Sequence, residues 1–207
     1  MDRSYQPLPI LELGPGAGLR RPVQKLPARV QRDSPALDVM TDLTRVTPGS
    51  IRPDAPVDAA NQFMIARGVR LLLVLDEREM VLGVITSTDI LGERCMRVAT
   101  ERGLRHDELK VADIMTPADR VEVVALAAVE GARVGHVVET LRRTGRQHAL
   151  VVDEDVTQPQ RLIDQPVRRT MVRGIFSISQ IARQLGISVQ TAEVARTFAD
   201  IEAALSV

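Results

Sequence analysis

The chain has 207 residues, of which 44% are hydrophobic and 26% are charged. This composition is typical of a soluble globular protein with a real apolar core, not of a disordered chain. The 27 Lys and Arg residues balance 27 Asp and Glu residues, so the chain has no net charge that would attract nucleic acid or an anionic membrane. Cys95 is the only cysteine, which excludes an internal disulfide and a cysteine-based zinc cluster.

The N-terminal region shows no sign of a membrane or export signal. Asp2, Glu12 and several prolines stand where a signal peptide would have a basic start and an apolar centre. No apolar run, the run Leu71–Leu75 included, approaches the roughly 20 residues that a membrane-spanning helix needs. We therefore expect a cytoplasmic protein with no membrane partner.

Residues 1–34 are predicted to form an N-terminal arm that is partly disordered. Five prolines and three glycines fall within the first 30 residues, and no helical or strand period persists there. The segment 10–13 is the one place where a short strand is expected. Such an arm could dock on the protein itself or on a partner subunit.

From residue 36 onwards the chain contains an internal repeat. The segment 37–41, Leu-Asp-Val-Met-Thr, returns as Ala-Asp-Ile-Met-Thr at 112–116. A helical pattern over 57–67 has a counterpart over 134–143, and the apolar strand 72–76 has a counterpart at 149–153. Each copy is thus predicted to run strand, helix, strand, strand, helix.

Each copy closes with an apolar strand that opens directly into a helix. In the first copy this corner, 83–90, carries Thr86 and Asp89; in the second copy, 174–181, it carries Ser177 and Gln180. Such side chains at a helix start normally satisfy free backbone N–H groups, so capping alone could explain Thr86 and Asp89. A repeated corner with one carboxylate also indicates two similar clefts of unequal polarity.

The predicted fold is α/β, in the α+β sense, with two β-α-β-β-α repeats packed as a pseudo-twofold module. We place the first repeat at 35–106 and the second at 107–188, with an inserted hairpin or loop at about 154–172. A three-stranded sheet with two helices leaves one face unburied at about 60 residues, so the two sheets should pack together. A C-terminal helix over 189–207 is expected to cover the module or to pair two subunits.

These motifs resemble those of the CBS domain, named after cystathionine beta-synthase, and 37–186 is similar to a tandem CBS pair, or Bateman module. The resemblance rests on the segments 37–41 and 112–116 and on the two glycine corners, 83–89 and 174–180. It implies a free-standing, non-catalytic regulatory module for a separate target protein. The implied regulatory ligand is an adenosine compound such as AMP, ADP, ATP or S-adenosylmethionine, with no catalytic cofactor and no metal.

The resemblance also implies site residues. Thr86 and Asp89 would bind the ribose, and the early and middle strands of the same copy would contact the adenine. These strand residues are Ser50, Ile51, Arg52, Arg70 and Leu72. Ser177 and Gln180 would form a second, degenerate site, because Gln180 replaces the ribose acid. Arg52, Arg70 and Arg133 are the candidate phosphate ligands.

Catalysis is the first competing interpretation. The three histidines, His106, His136 and His148, do not lie in a context typical of a nucleophile–base pair or a metal triad. We therefore predict a protein that is not an enzyme. A module that binds nothing and serves only in assembly is a further possibility.

The alternative function is a DNA-binding transcriptional regulator. The segment 179–196 resembles a helix-turn-helix, with the small Ala182 and the turn residue Gly186 well placed. The same segment already closes the second repeat, however, and the following helix carries Glu193 and Asp200 where DNA phosphates would require cations. We therefore expect a protein that binds a small nucleotide and not nucleic acid. Through the apolar helices that close each repeat, we expect it to form a homodimer.

Overall fold

The computed structural model of the chain describes residues 24–157 and 167–187, together with residue 201. Side chains are described over 24–154 and 169–187 and at Ile201. The strand expected at 10–13, the second helix of the helix-turn-helix pattern and nearly all of the helix expected at 189–207 lie outside these residues. The tip of the expected insertion, 158–166, does so as well.

The first half of the chain folds as the repeat pattern predicts. Its elements are β1 (Met40–Asp42), β2 (Ser50–Ile51), α1 (Val57–Arg67), β3 (Leu71–Leu75), β4 (Val81–Thr86), α2 (Ser87–Leu91) and α3 (Glu93–Arg102). Pro56 precedes α1, and Gly68 ends it with the left-handed φ of 65° that glycine adopts readily. The turn between β3 and β4 is tight because Asp76 accepts hydrogen bonds from the backbone N–H groups of Arg78 and Met80, both at 2.8 Å.

The second half repeats this order with a longer hairpin. Its elements are α4 (Val111–Ile114), β5 (Thr116–Pro117), β6 (Val123–Ala125), α5 (Leu126–Glu130), α6 (Val134–Thr144), β7 (His148–Thr157), β8 (Val167–Ser177) and α7 (Ile178–Gln184). Short 3-10 turns lie at Ala36–Val39, His106–Glu108 and Ala118–Arg120. Strands β7 and β8 stay paired from His148↔Ser177 to Thr157↔Val167, so the inserted segment extends as an antiparallel ribbon.

The two repeats exchange strands, which the sequence did not predict. Instead of one three-stranded sheet per repeat, there are two four-stranded sheets, ordered β2-β3-β4-β5 and β1-β8-β7-β6. Strand β1 lies at the start of the first repeat yet pairs with β8 of the second, and β5, at the start of the second repeat, pairs with β4 of the first. The physical reason is that β4 and β8 would otherwise be sheet edges with unpaired N–H and C=O groups.

Asp42 anchors the exchanged strand β1. Its carboxylate accepts hydrogen bonds from the Thr44 hydroxyl at 2.6 Å and the Thr44 N–H at 2.8 Å, and it forms an ion pair with Arg173. Burial raises the pKa of Asp42, but the hydrogen bonds from Thr44 and the Arg173 guanidinium outweigh it and leave the pKa below its usual value. The charged carboxylate therefore holds β1 beside Arg173 of β8.

The two sheets pack face to face through an apolar cluster, as predicted. Its buried members are Leu71, Leu73, Val84 and Leu150, which come from β3, β4 and β7. Behind each sheet, the helices cover a separate core, centred on residues such as Leu72 and Ile85 in one repeat and Phe176 and Leu141 in the other. One module with a shared centre results.

The described end of the N-terminal arm docks on the second repeat. The N–H of buried Val30 donates to the carbonyl of Gln184 at 3.0 Å. The Gln24 side chain donates to the Met40 carbonyl at 2.9 Å and accepts from the Asp42 N–H at 2.8 Å, so it occupies the outer edge of β1. The arm thus protects an edge that would otherwise be open for strand pairing.

The first helix of the helix-turn-helix pattern is α7, and its apolar side is part of the core. Ile178, Ile181 and Ala182 are buried in the second repeat, and Gly186 follows with a left-handed φ of 82°. Ile201 is buried in the same cluster.

Within the described residues, no helix combines the length and the hydrophobicity that crossing a bilayer requires.

Candidate functional site: a groove between the repeats

Thr86 and Asp89 line a cavity of about 200 Å³, here called the first groove, which is built from both repeats. Its apolar surface comes from Leu71, Val84, Val121 and Leu150. Facing the Thr86 corner are the second-repeat residues Arg146, Gln147 and His148. A molecule in this groove would contact both halves of the module.

The corner itself is a reciprocal helix cap. The Asp89 Oδ2 atom accepts from the Thr86 N–H at 2.9 Å and from the Thr86 hydroxyl at 2.6 Å, while the Asp89 N–H donates to the Thr86 Oγ1 atom at 3.3 Å. The capping interpretation of these two residues is therefore correct. The same residues also face the groove, so capping does not exclude a binding role.

Arg94 ties the corner to the exchanged strand. Its guanidinium donates to Asp89 Oδ1 at 3.2 Å, to the Thr116 hydroxyl at 3.3 Å and to the Met115 carbonyl at 2.8 Å. A carboxylate offers about four acceptor positions, and the described contacts of Asp89 use three. The remaining position, on Oδ1, is the one through which Asp89 can accept a hydrogen bond from a ligand hydroxyl.

The wall opposite the corner carries one arginine, Arg146, and a neutral imidazole. Arg146 Nε lies 3.2 Å from Glu122 Oε2, and both side chains are exposed. Burial and, to a smaller extent, the positive charge of Arg70 together lower the pKa of the half-buried His148 to about 4. His148 is therefore uncharged near neutral pH and can both donate and accept a hydrogen bond.

The strand residues assigned to the adenine by resemblance do not join Thr86 and Asp89. Ser50, Ile51 and Arg52 line a separate shallow depression beside the β3–β4 turn. Leu72 is fully buried beneath the helices of the first repeat. Side chains alternate along a strand, so Leu71, and not Leu72, faces the first groove.

Residues of the opposite repeat take the place of these strand residues. Thr116 of the exchanged strand and the segment 146–148 complete the first groove. The sequence pattern did not indicate them, because the resemblance assigns the ribose and adenine contacts to residues of one copy. The signal that could have found Thr116 is its place in the repeated segment 112–116, at the start of the second copy.

A second groove, also of about 200 Å³, contains the Ser177 and Gln180 pair predicted for the degenerate site. The Thr41 hydroxyl donates to Gln180 Oε1 at 3.2 Å, and Gln180 Nε2 donates to the Val39 carbonyl at 3.4 Å. Arg70 lines this groove and not the first one. Leu71 and His148 line both grooves and form a common wall.

The remaining candidate phosphate ligand is Arg133. Arg133 lies in an open surface depression with Arg32 and His136, away from both grooves. Within the described residues, no three His, Cys, Asp or Glu side chains are grouped so that they could hold a metal ion. Burial raises the pKa of the Cys95 thiol, and Asp58 raises it further, so this thiol is not activated.

The model of the CBS domain family matches residues 36–94. The first repeat is a CBS domain. The second half, which the family model does not cover, has the same element order and completes its sheet with a strand from the first. Comparison with curated proteins gives no match.

Several solved structures are similar to this chain. An uncharacterized conserved protein from Pyrococcus horikoshii is 21% identical, with 79% of this chain and 100% of that chain covered and a TM-score of 0.51. CBSX2, solved in complex with AMP, is 20% identical, with 72% and 94% covered and a TM-score of 0.46. The CBS domain pair of protein MJ0100, solved with 5′-methylthioadenosine and S-adenosyl-L-methionine, is 19% identical, with 74% and 97% covered and a TM-score of 0.47.

Proposed function

We propose that this tandem CBS protein is a non-catalytic regulatory module that binds an adenosine-containing ligand in the first groove. The observation that supports this most is the Thr86–Asp89 corner, which opens onto a cavity shared by both repeats. A ligand that contacts both repeats changes their relative placement if it binds one arrangement more tightly than another. Regulation then follows from binding without any chemical step.

The chemistry of the groove suits a nucleoside. A ribose hydroxyl can donate to the free position of Asp89 Oδ1, with Thr88 and Thr116 nearby on the same cavity wall. The purine ring would lie against the apolar side chains, and the neutral His148 could pair with its ring nitrogens or amino group. The cavity of about 200 Å³ is smaller than the roughly 300–1,000 Å³ common for ligand pockets, so phosphates would extend outwards towards Arg146.

The direct test is a ligand panel of adenosine, AMP, ADP, ATP, S-adenosylmethionine and NAD, followed by thermal shift and calorimetry. A ligand at 100 times its dissociation constant should add about 2.7 kcal/mol to the free energy of unfolding. Asp89→Ala should weaken binding of the best ligand by about 1.5–3 kcal/mol, because a charged hydrogen bond is lost. Thr86→Val, which removes the Thr86 hydroxyl, should weaken binding of the same ligand by about 1 kcal/mol.

Asp113 provides a matched control for Asp89. It accepts from the Lys110 N–H at 2.8 Å at the start of α4, pairs with Arg102, and is 17% exposed, the same as Asp89. Asp113 does not line the first groove, so Asp113→Ala should lose a helix cap and leave ligand affinity unchanged. Equal affinity loss in both variants, or no binding by any ligand of the panel, would refute the proposed function.

We further propose that the protein is a cytoplasmic homodimer that regulates a separate protein. The resemblance of residues 37–186 to a CBS pair and the balanced charge of the chain support this proposal. Sedimentation velocity with and without the best ligand tests the dimer. A monomer in both conditions would contradict it.

A further inference from the structure

We propose that a cavity on the helix-covered side of the second repeat binds a small neutral ring that carries one hydroxyl group, such as a phenol. The cavity has a volume of about 140 Å³ and lies between helices α5 and α6 and the sheet, against Ala149 of β7 and Phe176 of β8. None of its described lining residues lines the first or the second groove. The proposal therefore does not rest on the function proposed above.

The cavity lies where small residues replace large residues of the first repeat. Ala149 is the second residue of β7, as Leu72 is of β3. Thr140 lies as far before the glycine that ends α6 as Phe63 lies before the glycine that ends α1. Leu72 and Phe63 both pack in the core of the first repeat. In the second repeat, the ring of Phe176 fills part of the space, and the cavity is what remains.

The lining of the cavity favours an apolar ring. Its buried and partly buried members are Val124, Val129, Ala132, Val137, Ala149 and Phe176. An apolar cavity of roughly 150 Å³ in a protein core stays dry and can hold a molecule of benzene, so this cavity has room for one six-membered ring. The mouth is open to solvent, since Ala128 and Thr140 are exposed there.

The rim of the cavity supplies one hydrogen-bond donor and one acceptor. His136 Nδ1 accepts from the Arg133 N–H at 2.9 Å, so the imidazole proton lies on Nε2. The Thr140 hydroxyl donates to the His136 carbonyl at 2.8 Å and keeps the lone pairs of its oxygen. A ring hydroxyl can therefore accept from Nε2–H and donate to Thr140 Oγ1. No described lining residue is Asp, Glu, Lys or Arg, so nothing in the lining would neutralise a charged ligand.

The experiment is an NMR titration of the ¹⁵N-labelled full chain with phenol. Phenol should shift the backbone resonances of Val137 and Ala149 at the cavity and leave those of Thr86 and Asp89 in place. Ala149→Leu introduces the residue of the first repeat and should weaken binding by roughly tenfold or more, because it fills the cavity. Ala112→Leu is the matched control, since it adds the same side chain at an exposed position of α4, outside the cavity; phenol affinity should not change.

Two variants of Thr140 test the hydroxyl contact and the space separately. Thr140→Val removes the acceptor and should weaken phenol binding by about fivefold, the equivalent of one neutral hydrogen bond, while toluene binding stays unchanged. Thr140→Phe introduces the residue of the first repeat and should exclude both molecules. Thr140 is exposed, so this variant decides the question if Ala149→Leu lowers the melting temperature.

Each result counts for or against the cavity as a ligand site. Phenol binding that is lost in Ala149→Leu or Thr140→Phe and kept in Ala112→Leu supports the proposal. Absence of binding to the wild-type protein, shifts at Thr86 and Asp89 alone, or undiminished affinity in both filled variants overturns it. An equal loss of phenol and toluene affinity in Thr140→Val contradicts the hydroxyl contact and with it the proposed ligand class.

Discussion

Asp89 caps a helix and faces a cavity with the same carboxylate. Three of its acceptor positions are occupied by Thr86 and Arg94, which fixes the side chain in one orientation. A ligand therefore meets a preorganised acceptor and does not have to order it. The sequence predicted the cap, because a strand-to-helix corner is a local feature. Ligand binding by Asp89 stays a prediction.

His148 should make the stability of the protein depend on pH. Burial lowers its folded pKa from 6.5 to about 4, so between these values the unfolded chain binds a proton that the folded chain does not. Stability should therefore fall as the pH drops from 6.5 to about 4, by at most about 3 kcal/mol. Below both pKa values no further loss arises from this group.

Urea unfolding at pH 7 and pH 4.5 measures this effect. The difference between the two pH values should shrink in His148→Gln, which cannot be protonated. His106→Gln is the control, since His106 is 49% exposed and lies outside both grooves. An undiminished pH dependence in His148→Gln would show that the imidazole is not the group responsible.

The exchanged strands give two equivalent glycines different environments. Gly83 pairs with Pro117 of β5, and Gly174 pairs with Asp42 of β1. A Cβ atom at Gly83 would collide with the backbone carbonyl of Thr116, whereas one at Gly174 would meet the flexible side chain of Met40. The close approach of backbone to backbone is thus a requirement in one sheet only.

Alanine at each glycine tests this asymmetry. Gly83→Ala should lower the free energy of unfolding by about 1–3 kcal/mol, the range for overpacking in a well-packed region. Gly174→Ala should cost less, since Met40 can move aside. Chemical denaturation of both variants provides the comparison, and an equal or larger cost for Gly174→Ala would contradict the strand arrangement.

The whole molecule is held together by the apolar layer between its sheets. Leu73 is 3% exposed in that layer, so Leu73→Ala should cost about 2–5 kcal/mol. Leu91 is 74% exposed, and Leu91→Ala should change stability by less than about 0.5 kcal/mol. Calorimetry should show one unfolding transition, since each sheet contains a strand from the other half. Two separate transitions would mean that the repeats are independent.

The sequence alone determined the local elements, the repeat and the glycine corners. The bounds of α1, Val57–Arg67, agree with the prediction. The signals that set them are local: the helical spacing of the apolar residues, Pro56 before the helix and Gly68 after it. The sequence did not determine which strands and helices contact each other, since strand exchange joins residues that are far apart in the chain. Only the tertiary structure showed that Arg146 and His148 face Thr86 while Ser50 and Arg52 lie elsewhere. The physical reason is that an edge strand pairs with whichever segment satisfies its backbone groups, and this choice depends on packing and not on sequence proximity.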